Sequence, residues 1–279
     1  MSIFAIIGEA LRIGRAHKSL WLFGFLVALG GGGLNFGVLD AEQAPQPPVA
    51  AAPPDVAAVV AVLGVGLAAL IAFVILEFLS TGALIEGVKR ARRSGSMKLG
   101  EGFREGWAHW GVLFRIALLF IVAIFSSIAV LAGACVLVWL TLGAPAVYFA
   151  CALAIVIGVP WLLTLYMWQA FAERIAVLEN RRAMDAIRKA RLFLHGRVPL
   201  GLKLLVAGFL GVLFVTAIGI VVIAPITAIV VKSASLWGNL GALGLGALTL
   251  LPAAFVVLAM IGIVTSSVWT IGYLSQVEQ

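Results

Sequence analysis

Six long apolar runs dominate the chain: Leu20–Leu39, Val56–Glu86, Gly111–Leu142, Pro145–Phe171, Leu200–Val231 and Leu240–Tyr273. A helix needs about 20 residues to cross the hydrocarbon core of a bilayer, and each run reaches that length. In hydrocarbon the main chain finds its hydrogen-bond partners only within a helix or a closed barrel. Barrel strands alternate in polarity and need only about 9–11 residues. These runs are longer and uniformly apolar, so they are read as helices. The expected fold class is all-α, a polytopic transmembrane bundle of six spans in one membrane domain covering residues 1–279.

Composition enters as a check. Hydrophobic residues make up 63% of the chain and charged residues 11%, against about 25% charged in soluble domains, so no soluble fold has interior enough for this surface. The first run follows a segment that holds Glu9 and is longer than a signal-peptide core, so it is read as a retained span.

Lys and Arg set the expected orientation. Arg12, Arg15 and Lys18 precede the first run. A second group, from Lys89 to Arg104, lies between the second and third runs, and a third, from Arg174 to Arg197, between the fourth and fifth. With Arg115 and Lys203 just inside their runs, 18 of the 19 basic residues share one side, and only Lys232 lies opposite. The positive-inside rule makes the basic side cytoplasmic and places both termini there. The other side carries Asp40, Glu42, Asp55 and a proline-rich loop that cannot be helical. Trp21, Trp107, Trp110 and Trp269 fall near the inner interface, Trp139 and Trp237 near the outer one. The net charge of +7 is therefore read as topology, and no long basic stretch interleaved with aromatics suggests nucleic acid.

The segments ahead of the odd-numbered runs resemble one another. Glu9–His17, Glu101–His109 and Asp185–Phe193 share the order acid, small, apolar, Arg, any residue, small. An acid and an Arg three residues apart sit on one helix face and can pair. The spacing predicts three repeats, each an amphipathic cytoplasmic helix followed by a transmembrane hairpin. The ends of the second and fourth runs also match, Ala83–Glu86 against Ala170–Glu173.

Glu77 is the most informative polar residue. It lies nine residues before Glu86, about 13 Å deeper along a helix. A charge at that depth is costly and calls for a partner, a proton or a wet cavity. The candidate partners are Arg115, Lys203, Gln169, Ser80 and Thr81. Two readings stand: a structural pair that sets helix register, or a proton-coupling or ligand site. Arg115 and Lys203 can alternatively snorkel to the interface.

Other residues carry weaker signals. His17, His109 and His195 share the basic side without metal-ligand spacing, so no metal is expected. Cys135 and Cys151 share a depth around one outer turn and are read as small apolar residues that can, if they face, form a disulfide. Gly33–Gly37 and Gly238, Ala242 and Gly246 form small-residue faces for close packing. Pro225 and Pro252 should kink their helices. Hydrolase, phosphate-loop and zinc-protease motifs are missing, so neither an enzyme nor a cofactor is expected.

Three segments carry a family resemblance: Ser19–Gly24, Gly82–Gly87 with the basic run to Arg93, and Leu99–Phe103. In them the chain resembles a group of prokaryotic six-span proteins that includes the membrane domain found beside glycerophosphoryl diester phosphodiesterases. The resemblance implies a bacterial or archaeal cytoplasmic membrane, here the bacterial inner membrane, and no assigned activity. The soluble phosphodiesterase barrel has no counterpart in this sequence, so its activity is not carried over. The first functional expectation is a non-enzymatic module that binds a protein partner or anionic lipid through Arg90, Arg92, Arg93, Arg181 and Arg182. The alternative is a small-solute or ion transporter with Glu77 as its coupling group.

Overall fold

A computed structural model describes residues 2–30, 56–93, 95 and 97–277, apart from the side chains of 56–59, 234–240, 242 and 243. All regular structure among the described residues is helical. The elements are α1 (Ile3–Ala16), α2 (Leu20–Ala28), α3 (Val56–Arg92), α4 (Leu99–Leu142), α5 (Ala144–Leu178), α6 (Ala183–Leu194) and α7 (Val198–Val277). Among the described residues five stretches are long and apolar enough to cross a membrane: Val60–Arg92, Leu99–Leu142, Ala144–Leu178, Val198–Ser233 and Gly244–Val277. The expected first span enters as α2, and its continuation to Leu39 lies mostly outside the described residues. So do the proline-rich loop and the small-residue face at 33–37.

The helices expose their apolar sides. Val65 and Val130 are 72% exposed and Phe149 76%. Water would penalise such faces heavily, and hydrocarbon does not. The chain is a multi-helix membrane protein.

The helix α7 is not one rod. Gly272 packs on Leu204, Gly211 on Val264, Gly219 on Val257 and Gly246 on Val230. These pairs make α7 a hairpin whose second arm returns to the basic end. The helices α4 and α5 form another, turned at Gly143, whose φ of +81° suits glycine. There Trp161 Nε1 donates to Ser127 Oγ across the pair.

Packing is concentrated toward the basic end. The buried core joins Leu20 and Phe23, Leu84 and Val88, Ile116 and Phe120, Phe171 and Ile175, and Ile263 to Tyr273. Glycine lets backbones meet there. A methyl group at Gly262 would land on the Gly24 carbonyl, and one at Gly24 on the Ala259 carbonyl. Gly106 meets the Leu79 carbonyl in the same way, joining α3 to α4. These positions carry the closest backbone approaches among the described residues; of the small-residue faces picked out from spacing, Gly246 packs on Val230 and Gly33–Gly37 lies outside the described residues.

The three repeat-like segments fold differently. Of Glu9–His17 all but the capping His17 lies in α1, and Asp185–Phe193 forms most of α6. Each is separated from the next helix by a break, at His17–Ser19 and at His195–Arg197, where Gly196 has φ +80°. Glu101–His109 instead runs unbroken into its span as the first turns of α4. No glycine there turns left-handed, and Gly102 and Gly106 are held helical against Phe23 and Leu79.

The α2–α7 crossing tolerates no added side chain. Gly262→Val should destabilise the purified protein in detergent by at least about 1–3 kcal/mol through overpacking. Gly64→Val, at a position with nothing within 4 Å, should leave the thermal midpoint unchanged in the same scan.

Candidate functional site

The basic end is tied together by ion pairs that join successive helices. Arg90 at the end of α3 reaches Glu86 on its own helix at 3.4 Å and, on α4, Glu101 at 3.3 Å and Glu105 at 3.0 Å. Arg92 holds Glu9 of α1 at 3.1 Å. The Trp21 indole donates to the Gly14 carbonyl at 2.8 Å and fixes the elbow between α1 and α2.

A second clasp sits where α5 meets α6. Asn180 takes φ +52°, and the Arg181 N–H returns to the Ala176 carbonyl at 3.1 Å. This left-handed helix stop orients Glu179 outward from the end of α5. Its carboxylate accepts from Lys189 Nζ at 2.6 Å, from Arg181 Nε at 2.8 Å and from the Tyr273 hydroxyl. One carboxylate thus joins α5, α6 and the last turns of α7. Burial works against its charge, but hydrogen bonds from Lys189, Tyr273 and Arg181 and the Lys189 charge win, holding Glu179 at about 2.

Beyond this clasp, deeper in the bundle, lies a cavity of about 430 Å³ walled by α2, α3, α4, α5 and α7. Its polar groups are Glu77 and Thr81 from α3, Gln169, Glu173 and Arg174 from α5, and Thr265 and Ser266 from α7. Phe78, Phe114, Tyr166 and Trp269 supply aromatic walls. Glu173 is held on both oxygens: Gln169 Nε2 donates at 3.1 Å and Arg174 Nη1 at 2.8 Å. The same Arg174 nitrogen donates to the Ala170 carbonyl at 2.9 Å. Arg174 is buried, and its Nε has no hydrogen-bond partner; neither has the buried Ser266 hydroxyl. Buried orphans of this kind carry a cost unless a ligand or water meets them.

Glu77 faces this group across the cavity. Among the described residues its carboxylate takes part in no ion pair and no side-chain hydrogen bond, and the Gly30 backbone abuts it. The candidate partners read from the sequence sit elsewhere or bind elsewhere. Thr81 donates to the Glu77 backbone carbonyl at 3.0 Å, not to the carboxylate. Gln169 lines the same cavity but serves Glu173. Ser80 is buried with an unpartnered hydroxyl. Arg115 is exposed in a separate groove at the basic end, and Lys203 does not line the cavity. With both glutamates ionised, two carboxylates face one guanidinium, a net charge of −1.

The sequence reading missed Glu173 and Arg174. Along the chain Arg174 reads as one of the basic residues that set topology, and Glu173 as part of the match between the ends of the second and fourth runs. The signal that could have found them is Gln169 four residues before Glu173, which puts an amide and an acid on one helix face.

Of the five basic-face arginines, Arg90, Arg92 and Arg181 are engaged within the chain, while Arg93 and Arg182 are exposed. Cys135 and Cys151 are free thiols lining one apolar groove between α4 and α5. No metal-holding group of His, Cys, Asp and Glu occurs among the described residues. No family model, curated protein or solved structure matches the chain.

The Glu179 clasp sets a pH dependence. Its folded value, about 2, lies below the ordinary 4.5, so its contribution is fully present above the ordinary value. It is lost as pH falls from there toward the folded value. Thermal unfolding of Glu179→Gln should therefore be lower than wild type at neutral pH, and the two midpoints should converge on acidification.

Proposed function

We propose that the chain is a non-enzymatic transporter of a small cationic solute or ion, with Glu77 as the coupling group. It spans a bacterial inner membrane six times with both ends in the cytoplasm. The single observation that carries this reading is the cavity itself, where an acid without a charged partner meets the Gln169–Glu173–Arg174 group. A carboxylate kept in a membrane bundle merely to set register is expected to be paired and dry. This one borders open volume within the range of small-molecule sites, roughly 300–1,000 Å³.

The charge sign favours a cation. Aromatic faces from Phe114, Tyr166 and Trp269 add attraction for an organic ammonium. Carriage needs a group whose charge changes with the load, and an unpaired carboxylate can exchange a proton for a cation. The reading of α7 as a hairpin supports an even number of crossings, since α1 and the end of α7 then lie at one end of the bundle. The other expectation, recruitment of a protein partner through the basic face, has less support because three of its five arginines already serve the chain's own acids.

Purified protein in neutral detergent provides the test, with tetramethylammonium, sodium and, as controls, lactate and glucose. A cation should raise the thermal midpoint saturably, and Glu77→Gln should abolish the rise. In proteoliposomes the same variant should lose cation-driven proton flux. Stabilisation that survives Glu77→Gln, or equal effects of cations and controls, would overturn the reading.

A further inference from the structure

A second concavity lies at the basic end, on the outside of the bundle. Its volume is about 670 Å³, and it is walled by the start of the span in α4 and by the first turns of α6. Three arginines converge on it: Arg115 from α4, Arg182 from the α5–α6 connection and Arg188 from α6. One acid, Asp185, also lines it. None of these four side chains joins an ion pair among the described residues, unlike Arg90, Arg92, Arg174 and Arg181. The groove therefore holds a net charge of +2 that the described residues leave uncompensated.

Its other wall is apolar and belongs to the membrane-crossing part of α4. Leu118 is 49% exposed and Leu119 44%, one turn beyond Arg115. Further along the same helix Val122 is 57% exposed. The groove is thus amphiphilic along one direction, from guanidinium groups at the end of the bundle to bare aliphatic side chains in the span. Guanidinium groups match phosphate oxygens in two-point hydrogen bonds. A free phosphate would use the arginines and leave the aliphatic wall idle; a phospholipid uses both.

We infer that this groove is a binding site for the headgroup of an anionic phospholipid, with its phosphate on Arg115, Arg182 and Arg188 and its acyl chains along the exposed face of α4. The site shares only Arg182 with the basic face read from the sequence. It does not depend on the Glu77 cavity, although Leu118 lines both. Basic pockets at the cytoplasmic membrane boundary select anionic headgroups in this way. Asp185 sits in the same groove and weakens the attraction, which supplies a variant of opposite sign.

The test uses the full chain in neutral detergent, titrated separately with phosphatidylglycerol, phosphatidylcholine, and inorganic phosphate together with glycerol phosphate, and read by native mass spectrometry. Phosphatidylglycerol should bind more tightly than phosphatidylcholine. Arg115→Gln and Arg188→Gln should each weaken it about fivefold. Asp185→Asn should tighten it, a gain that misfolding cannot produce, and Arg93→Gln, outside the groove, should leave it unchanged. Equal affinity for the two lipids would overturn the site. So would equal losses in Arg93→Gln and Arg115→Gln, or no gain in Asp185→Asn. Soluble phosphates that bind as tightly as the lipid would show a phosphate site and overturn the lipid assignment.

Discussion

Hydrocarbon gives apolar helices no solvent-driven reason to associate, because lipid tails are as apolar as leucine. The bundle therefore depends on close backbone approach where side chains are absent. Gly24 and Gly262 let α2 and α7 touch main chain to main chain, and Gly106 does the same for α4 against α3. Dispersion between closely packed atoms is small per pair and large in sum. Around these crossings the described helices converge toward the basic end, while the far parts of α3, α4 and α5 keep exposed apolar faces.

Polar contacts then lock what packing brings near. They are placed at the basic end, where water meets the chain and a carboxylate is not prohibitively costly. Arg90 gathers three acids from two helices, and Glu179 gathers two cations and a tyrosine from three segments. Exposed ion pairs contribute little individually, and a shared acceptor with several donors holds geometry better than isolated pairs. The aromatic cluster of Phe171, Phe193, Trp269 and Tyr273 lies directly beneath the Glu179 clasp, so apolar and polar contacts reinforce the same joint.

That rigid end frames the two concavities. The inner one places an unpaired acid opposite a satisfied acid, with an orphaned guanidinium nitrogen beside them. The outer one gathers three arginines against one acid where the span of α4 begins. They differ in sign because the acids are placed unevenly: Glu86, Glu101, Glu105 and Glu179 neutralise arginines and lysines on the joints, and among the described residues only Asp185 reaches the groove.

The helical class and the membrane setting were legible in the chain alone, because uniform apolar runs of spanning length leave the backbone no other way to bond itself. Glu77 was also visible, since any lone acid in such a run stands out. Its surroundings were not. Thr81, Gln169, Arg115 and Lys203 all lay within plausible reach along the sequence, yet whether any of them meets the carboxylate depends on helix rotation and crossing angle. Those are set by where glycines from different helices coincide, and Gly24 with Gly262 lie far apart in the chain. The same reason hid Glu173 and Arg174, and it decided that Arg115 points to an outer groove: sequence spacing orders residues along one helix, and only packing decides which faces meet.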